Sequence, residues 1–310
     1  MKNLIAITAG EPESINSEII AKTWNKIRFK NKLLIIGNYS LLKNQFNKLN
    51  FNLPLNLIRE LKEFKKFKLN ILDVKISNSS ISKKKYILDC IDLAHKFSLK
   101  GKIKGFITAP INKNVLGKNF LGVTEYLAYK NKVKNKEIML IYNKKLSVVP
   151  LTTHLEIKDI FKNITFSLIK NKILSLSENY KKTFKKNPRI ALLGLNPHNS
   201  ENKSESVENR IVKPAIIYLK KKKINISGPY SSDTIFMKKN RKNFDVIVGM
   251  YHDQVLAPFK TLYEFDAINI TLGLKYLRVS PDHGTASDLI GKNIATPQSL
   301  ISAIKFLNEI

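Results

Sequence analysis

The chain has 310 residues, of which 43% are hydrophobic and 25% charged. That is apolar enough to exclude a disordered chain and long enough for one large or two medium cores. Its 54 Lys and Arg against 24 Asp and Glu give a net charge of +30, yet only six of the basic residues are Arg, at 28, 59, 189, 210, 241 and 278. Specific nucleic-acid readers favour Arg for bidentate contacts. Scattered lysines that accompany many Asn and Ile, all from A/T-rich codons, point instead to genome bias, with only non-specific polyanion binding expected at low salt. The single cysteine, Cys90, excludes an intramolecular disulfide and fits a reducing compartment. No apolar run approaches the roughly 20 residues of a membrane span, and Gly10, Glu11 and Pro12 come too early for a signal-peptide core. A cytoplasmic location without membrane contact is expected.

In chain order, strand and helix patterns alternate. A strand over 4–8 leads to a helix over 18–27, a strand over 33–36 to a helix over 40–49, and a strand over 70–74 to a helix over 84–97. A strand follows at 105–108, then strands at 138–142 and 146–151 flank Asn143-Lys144-Lys145 as a hairpin in an otherwise parallel pattern. A helix over 166–180, a strand over 189–193, a helix over 211–222, strands over 245–248 and 267–271 and a helix over 297–307 complete the chain. This alternation predicts an α/β protein of two domains.

Three of the five histidines stand in polar clusters that each follow an apolar strand: Thr152-Thr153-His154, Gly194-Leu195-Asn196-Pro197-His198 and Met250-Tyr251-His252-Asp253-Gln254. Strands of α/β enzymes deliver functional side chains beyond their carboxyl ends, and three neutral imidazoles suit a divalent metal with an open position. His95, mid-helix and outside any motif, reads as an ordinary core or surface residue. No Gly-x-Gly occurs, so the Rossmann fingerprint is missing, and no Walker loop is complete. Asp282-His283-Gly284-Thr285-Ala286-Ser287-Asp288 offers another device, because Gly284 and Thr285 can expose backbone N–H groups at a helix start and Asp288 can accept from ribose hydroxyls.

Together with Ile107-Thr108-Ala109-Pro110-Ile111-Asn112-Lys113, Gly122-Val123-Thr124-Glu125-Tyr126-Leu127-Ala128, Gly228-Pro229-Tyr230-Ser231-Ser232-Asp233-Thr234 and Asn269-Ile270-Thr271-Leu272-Gly273-Leu274, these motifs resemble the 4-hydroxythreonine-4-phosphate dehydrogenase family of vitamin B6 biosynthesis over nearly the whole chain. The resemblance implies a two-domain, three-layer α/β/α fold like that of isocitrate and isopropylmalate dehydrogenases, with the active site in the interdomain cleft. It implies a cofactor-binding domain at 1–120 plus 260–310 and a metal-binding, substrate-binding and dimerisation domain at 121–259. His154, His198 and His252 would hold one divalent ion per subunit (Zn, Mg or Co), shared between partners of a homodimer. Thr124, Lys260, Asn269 and Arg278 would contact a phosphorylated substrate, while His283, Gly284, Thr285, Ala286 and Asp288 would line an NAD or NADP site. The implied reaction oxidises 4-phosphooxy-L-threonine to 2-amino-3-oxo-4-(phosphooxy)butanoate, which decarboxylates to 3-amino-2-oxopropyl phosphate. Asp233, Asp253 and Lys113 are candidates for the general base; Asp233 reads equally as a helix cap, and Asp253 equally as a residue orienting a metal ligand.

Three departures stand out. Val123 replaces a substrate-contacting imidazole of the family, a loss of about 1.5–3 kcal/mol if that group hydrogen-bonds a charged substrate. Asn199-Ser200-Glu201-Asn202-Lys203-Ser204 replaces a glycine-rich stretch, so this loop is expected to leave the path glycine would follow. Ser14-Ile15-Asn16-Ser17 stands where the family has a glycine-containing turn. These changes keep two other readings open: a paralogue acting on 4-phosphothreonate or 4-phosphoerythronate, and a basic binding protein that has lost catalysis.

Overall fold

A computed structural model describes residues 3–28, 30–77, 79–117, 120, 122–133 and 136–310. The chain begins with β1 (Ile5–Thr8), α1 (Asn16–Lys26), β2 (Leu33–Gly37), α2 (Tyr39–Lys48), β3 (Leu55–Ile58), β4 (Leu69–Asp73), α3 (Ser80–Leu99), β5 (Gly105–Thr108) and α4 (Val123–Lys130). It continues through β6 (Ile138–Asn143), β7 (Leu146–Pro150), α5 (Ile157–Asn163), α6 (Phe166–Phe184), β8 (Ile190–Leu193), α7 (Lys213–Lys221), β9 (Ile226–Tyr230), α8 (Ser232–Ile235) and α9 (Lys238–Arg241). It ends with β10 (Val246–Gly249), α10 (His252–Tyr263), β11 (Ile268–Leu272), β12 (Leu277–Pro281) and α11 (Gln298–Glu309). Two compact units result, one of residues Met1–Leu127 with Lys275–Ile310, the other of Ala128–Leu274.

In the first unit the strand order is β3-β4-β2-β1-β5-β12, and every neighbouring pair is parallel. β1, β2 and β5 are buried at every position, as expected of continuous apolar runs with both sheet faces covered. The cover comes from helices: α3 packs on β1, β2 and β5, α11 on β12, β1 and β5, and α2 on β4. Cys90 of α3 lies in this core, 1% exposed, where burial pushes its thiol pKa well up.

In the second unit the order is β11-β6-β7-β10-β8-β9. The β6–β7 hairpin is antiparallel as the sequence predicts, and β11 joins its outer side antiparallel as well, which the sequence did not foretell. β7, β10, β8 and β9 run parallel, so the loops after β7, β8 and β10 leave from one end of the sheet. Beneath those loops Val148, Leu193, Ile247, Val255, Leu256 and Phe259 share one core cluster. Full burial of a side chain such as Phe259 contributes about 1.5–3 kcal/mol, which anchors α10 under the sheet's carboxyl end. Among the described residues no helix is long and apolar enough to cross a membrane.

Candidate active site

The register Gly249↔Pro150 brings the ends of β10 and β7 side by side. The pairing persists past both strands. Leu151 N donates to Gly249 O (2.8 Å), and both the backbone N and the hydroxyl of Thr152 donate to Met250 O (3.2 and 2.7 Å). His154 and His252 are therefore neighbours, with ring centroids 6.2 Å apart and planes tilted by 35°. His252 is the first residue of α10, and its Nδ1 lies 2.6 Å from the Asp253 carboxylate, which is itself 81% exposed. An ionised carboxylate only accepts, so Nδ1 carries the proton and Nε2 is the nitrogen left to ligate.

His198 occupies a different local setting. It begins a run of four residues, His198 to Glu201, whose φ values of +47, +55, +52 and +51° are all left-handed. The loop, expected to leave a glycine-only path, lies in the left-handed helical region, which Asn199, Ser200 and Glu201 occupy with side chains in place. Each such residue costs roughly 1–2 kcal/mol, so surrounding bonds must hold the turn. They come from Glu208, which is fully buried. Its Oε1 accepts from the backbone N–H groups of Leu195 and Asn196 (2.9 and 2.8 Å), and its Oε2 accepts from Ser200 Oγ (3.2 Å). Burial alone would raise the Glu208 pKa, but hydrogen bonds from the backbone and side chain of Asn196, its own backbone N–H and the Leu195 N–H outweigh it and keep the carboxyl below its ordinary value. Gly194 lets the turn pack closely, since a Cβ there would displace the Asn199 side-chain oxygen. Among the described residues no three His, Cys, Asp or Glu side chains gather closely enough to hold a metal ion, so one chain supplies the His154–His252 pair without His198.

In the first unit Arg278 of β12 is 4% exposed. Its guanidinium donates to the hydroxyls of Thr124 (3.4 Å) and Thr108. Burial pushes its pKa down to about 10 against the upward pull of Tyr276 and Glu125, and it stays charged at neutral pH. Thr108 did not stand out in the sequence as a partner, although it sits in the Ile107–Lys113 motif. Val123 is the half-buried first residue of α4, one position before Thr124. Asn16, in the segment lacking the family's glycine, uses its amide to bridge Ala9 O (3.1 Å) and Pro110 O (2.9 Å), tying the loops after β1 and β5 together.

The 282–288 loop ends in a three-residue 3₁₀ turn, Ser287–Leu289, so the helix start expected after Gly284 and Thr285 does not form. His283 Nδ1 lies 3.0 Å from Gly284 O, Ala286 is left-handed at φ +45°, and Asp288 is exposed. Thr285 O accepts from Ile15 N (3.2 Å), which anchors the loop on the segment before α1. A Cβ at Gly284 would meet nothing within 4 Å, so packing does not demand glycine there.

The other site residues are dispersed. Asp233 lies in the first turn of α8 and is exposed; the N-cap position is Ser231, which removes the capping reading. Lys260 is half-buried on α10. Asn269 is half-buried on β11, and its Oδ1 is buried without a hydrogen-bond partner. Lys113 begins a short 3₁₀ turn, and its side chain lies outside the described residues. Two residues that sequence reasoning missed are Glu208 and Gln254. Glu208 carried only a weak signal, a carboxylate next to Val207 and four residues before Val212; Gln254 was visible only as part of the His252 motif.

Comparison with known proteins bears on the family and the fold. The family model described as pyridoxal phosphate biosynthetic protein PdxA matches residues 29–307. A 4-hydroxythreonine-4-phosphate dehydrogenase of Sulfurihydrogenibium sp. is 38% identical, covering 97% of this chain and 96% of its own. A D-threonate 4-phosphate dehydrogenase of Salmonella typhimurium is 30% identical, covering 99% and 98%. The crystal structure of a 4-hydroxythreonine-4-phosphate dehydrogenase from Klebsiella pneumoniae superposes with a TM-score of 0.87 at 29% identity, over 99% of both chains. An isocitrate dehydrogenase from Methylococcus capsulatus, at 12% identity and a TM-score of 0.50 over 99% of this chain and 85% of its own, shares the fold alone.

Proposed function

The chain belongs to the PdxA family of pyridoxal phosphate biosynthetic proteins and is an oxidoreductase, and from that premise we propose that it oxidises 4-phosphooxy-L-threonine at C3 with NAD or NADP. The C3 carbon loses a hydride to the coenzyme and its hydroxyl loses a proton to a base. The resulting 2-amino-3-oxo-4-(phosphooxy)butanoate, a β-keto acid, releases carbon dioxide, and the enolate left behind takes up a proton at carbon to give 3-amino-2-oxopropyl phosphate. Family membership sets this reading above that of a basic binding protein without catalysis.

The observation that carries the reading is the His154–His252 pair with Asp253 behind it. Two adjacent imidazoles, one oriented by a carboxylate, are the donor chemistry of a divalent-metal site. A divalent ion held there would lower the pKa of a coordinated alcohol and offset the negative charge that develops on its oxygen. His198 would complete the set from a second copy of the chain, giving a homodimer. Beside His154, Ile157 and Phe161 lie one turn apart on α5 and are 81% and 65% exposed, an apolar face suited to such a copy.

Arg278, a buried cation flanked by the hydroxyls of Thr124 and Thr108, suits a phosphate or carboxylate. Lys260 would add charge, and Asn269 Oδ1, buried without a partner, would accept from a substrate N–H or O–H. Asp253 is committed to His252, which leaves Asp233 and Lys113 as candidates for the base. The open space at Gly284 leaves its backbone accessible to a coenzyme ring or phosphate, with His283, Thr285, Ala286 and Asp288 around it. Nicotinamide reduction on 4-phosphooxy-L-threonine, lost on chelation and regained on adding Zn, Mg or Co, tests the proposal. No turnover by the metal-loaded protein would refute it.

A second reading keeps the chemistry and changes the substrate to 4-phosphothreonate. It is favoured by Val123 and by the Salmonella relative. A higher kcat/KM on 4-phosphothreonate than on 4-phosphooxy-L-threonine would select it.

A further inference from the structure

Gln254, in the first turn of α10, is 8% exposed and uses both ends of its amide. Oε1 accepts from Met250 N at 2.7 Å, and Nε2 donates to Gly194 O at 2.7 Å. The two partners fix the amide's orientation, because one is an N–H and the other a carbonyl. Gly249 makes the bridge possible: a Cβ there would lie 2.9 Å from Gln254 Oε1 and 2.5 Å from Val255 Cγ1. Gly194 is the residue at which the chain leaves β8 for the His198 turn, and Met250 immediately precedes Tyr251 and His252. Directly after Gly194, Leu195 and Asn196 pass to Glu208. The backbone leading to His198 is thus held at Gly194 by Gln254 and at Leu195 and Asn196 by Glu208, both buried.

We propose that Gln254, assisted by Glu208, is a positioning residue that sets where His198 stands relative to His252, and so sets the affinity and symmetry of the divalent-metal site. The inference rests on the reading of the three histidines as metal ligands. Gln254 touches neither ion nor substrate; it acts through the main chain at Gly194 and Met250. In an ion site shared between two copies, each chain gives His154 and His252 to one ion and His198 to another. The separation of the two loops within a chain therefore decides whether both ions find a full set of imidazoles. A left-handed turn of four side-chain-bearing residues has a strong tendency to relax, and a single carboxylate at Glu208 does not determine where the whole turn sits. The Gln254 bridge supplies that reference. Losing the amide leaves the buried Met250 N–H and Gly194 carbonyl unpaired, so a change in the metal site itself, and not stability alone, is what marks a positioning role.

The test uses the full-length protein. Gln254→Glu keeps an acceptor for Met250 N and loses the donor to Gly194 O at nearly constant shape; Gln254→Met keeps volume alone. Each is titrated with Co(II), read by its visible absorption bands and by competition with a chromophoric chelator, beside thermal unfolding of the metal-free protein. His198→Ala and His252→Ala run in parallel. The expected result is a 10- to 100-fold weaker Co(II) affinity with altered bands in both Gln254 variants, beside a lower metal-free unfolding midpoint, because each variant leaves Gly194 O without its buried donor. Should Gln254→Met fail to fold, Gln254→Glu decides. Parental affinity and bands in the Gln254 variants, with binding lost in His198→Ala, would overturn the positioning role and leave the metal reading intact. Weaker binding with unchanged bands and a matching drop in midpoint would make Gln254 a core residue and overturn it equally. Parental binding in both histidine variants would remove the metal reading, and this inference with it.

Discussion

Nδ1 of His252 lies 2.6 Å from the Oδ1 atom of Asp253, the residue that follows it, and this pairing selects Nε2 as the nitrogen presented to a ligand. Replacing Asp253 with Asn removes the acceptor charge without changing shape. The expected outcome is a 10- to 100-fold weaker divalent-ion affinity, measured by chelator competition, with no change in unfolding midpoint because the carboxylate is 81% exposed.

Arg278→Lys keeps a positive charge but loses the forked donor geometry that reaches two threonine hydroxyls. Loss of one charge-assisted bond is worth about 1.5–3 kcal/mol, which predicts a 10- to 100-fold lower kcat/KM for the phosphorylated substrate. Steady-state kinetics with the coenzyme saturating will read it. An unchanged value would place the phosphate elsewhere.

Val123→His returns an imidazole to the start of α4. If an imidazole there contacts the substrate, kcat/KM on 4-phosphooxy-L-threonine rises by about ten- to a hundredfold. A gain confined to KM would mean ground-state binding alone. Running 4-phosphothreonate in parallel shows whether this residue also governs substrate choice.

Glu201→Gly removes a side chain from a residue at φ +51°. Relief of left-handed strain exceeds the entropy cost of glycine, so a stabilisation of about 1 kcal/mol and a midpoint rise of a few degrees are expected. Differential scanning calorimetry gives the sign directly.

Asp245, with an 11% exposed side chain, accepts from Arg189 N, Nε and Nη2 and from Lys186 Nζ. Burial opposes ionisation, but these bonds prevail and pull its pKa from 3.8 to about 2. A depressed carboxylate pKa stabilises the fold above the unfolded value and ceases to do so as pH falls through the folded value. Asp245→Asn should therefore cost about 2 kcal/mol at pH 7, with the deficit shrinking as pH drops from about 4 toward 2. Thermal midpoints of the two proteins along that pH range will converge or refute the assignment.

Much of the architecture was legible because parallel strands buried on both faces are unbroken apolar runs, as in Leu33–Gly37 and Val246–Gly249. Three of the elements that escaped carry local contradictions. α10 contains Pro258 and starts with polar residues, which reads as a turn, yet burial of Val255, Leu256 and Phe259 overrides that signal. β9 carries Gly228-Pro229, and β12 carries the buried charge of Arg278, both unfavourable to a strand by composition alone. The histidine motifs were visible since each follows its strand directly. The Gly194–Gln254 bond joins residues 60 apart in sequence, and the left-handed turn depends on Glu208, which its own residue types do not announce.

Cys90 gives the molecule an internal reporter. As the sole thiol of the sequence and 1% exposed in the first unit, it is shielded from alkylating dyes while that unit stays closed. The rate at which a maleimide labels it therefore counts openings of the core around α3, one molecule at a time and without any engineered probe.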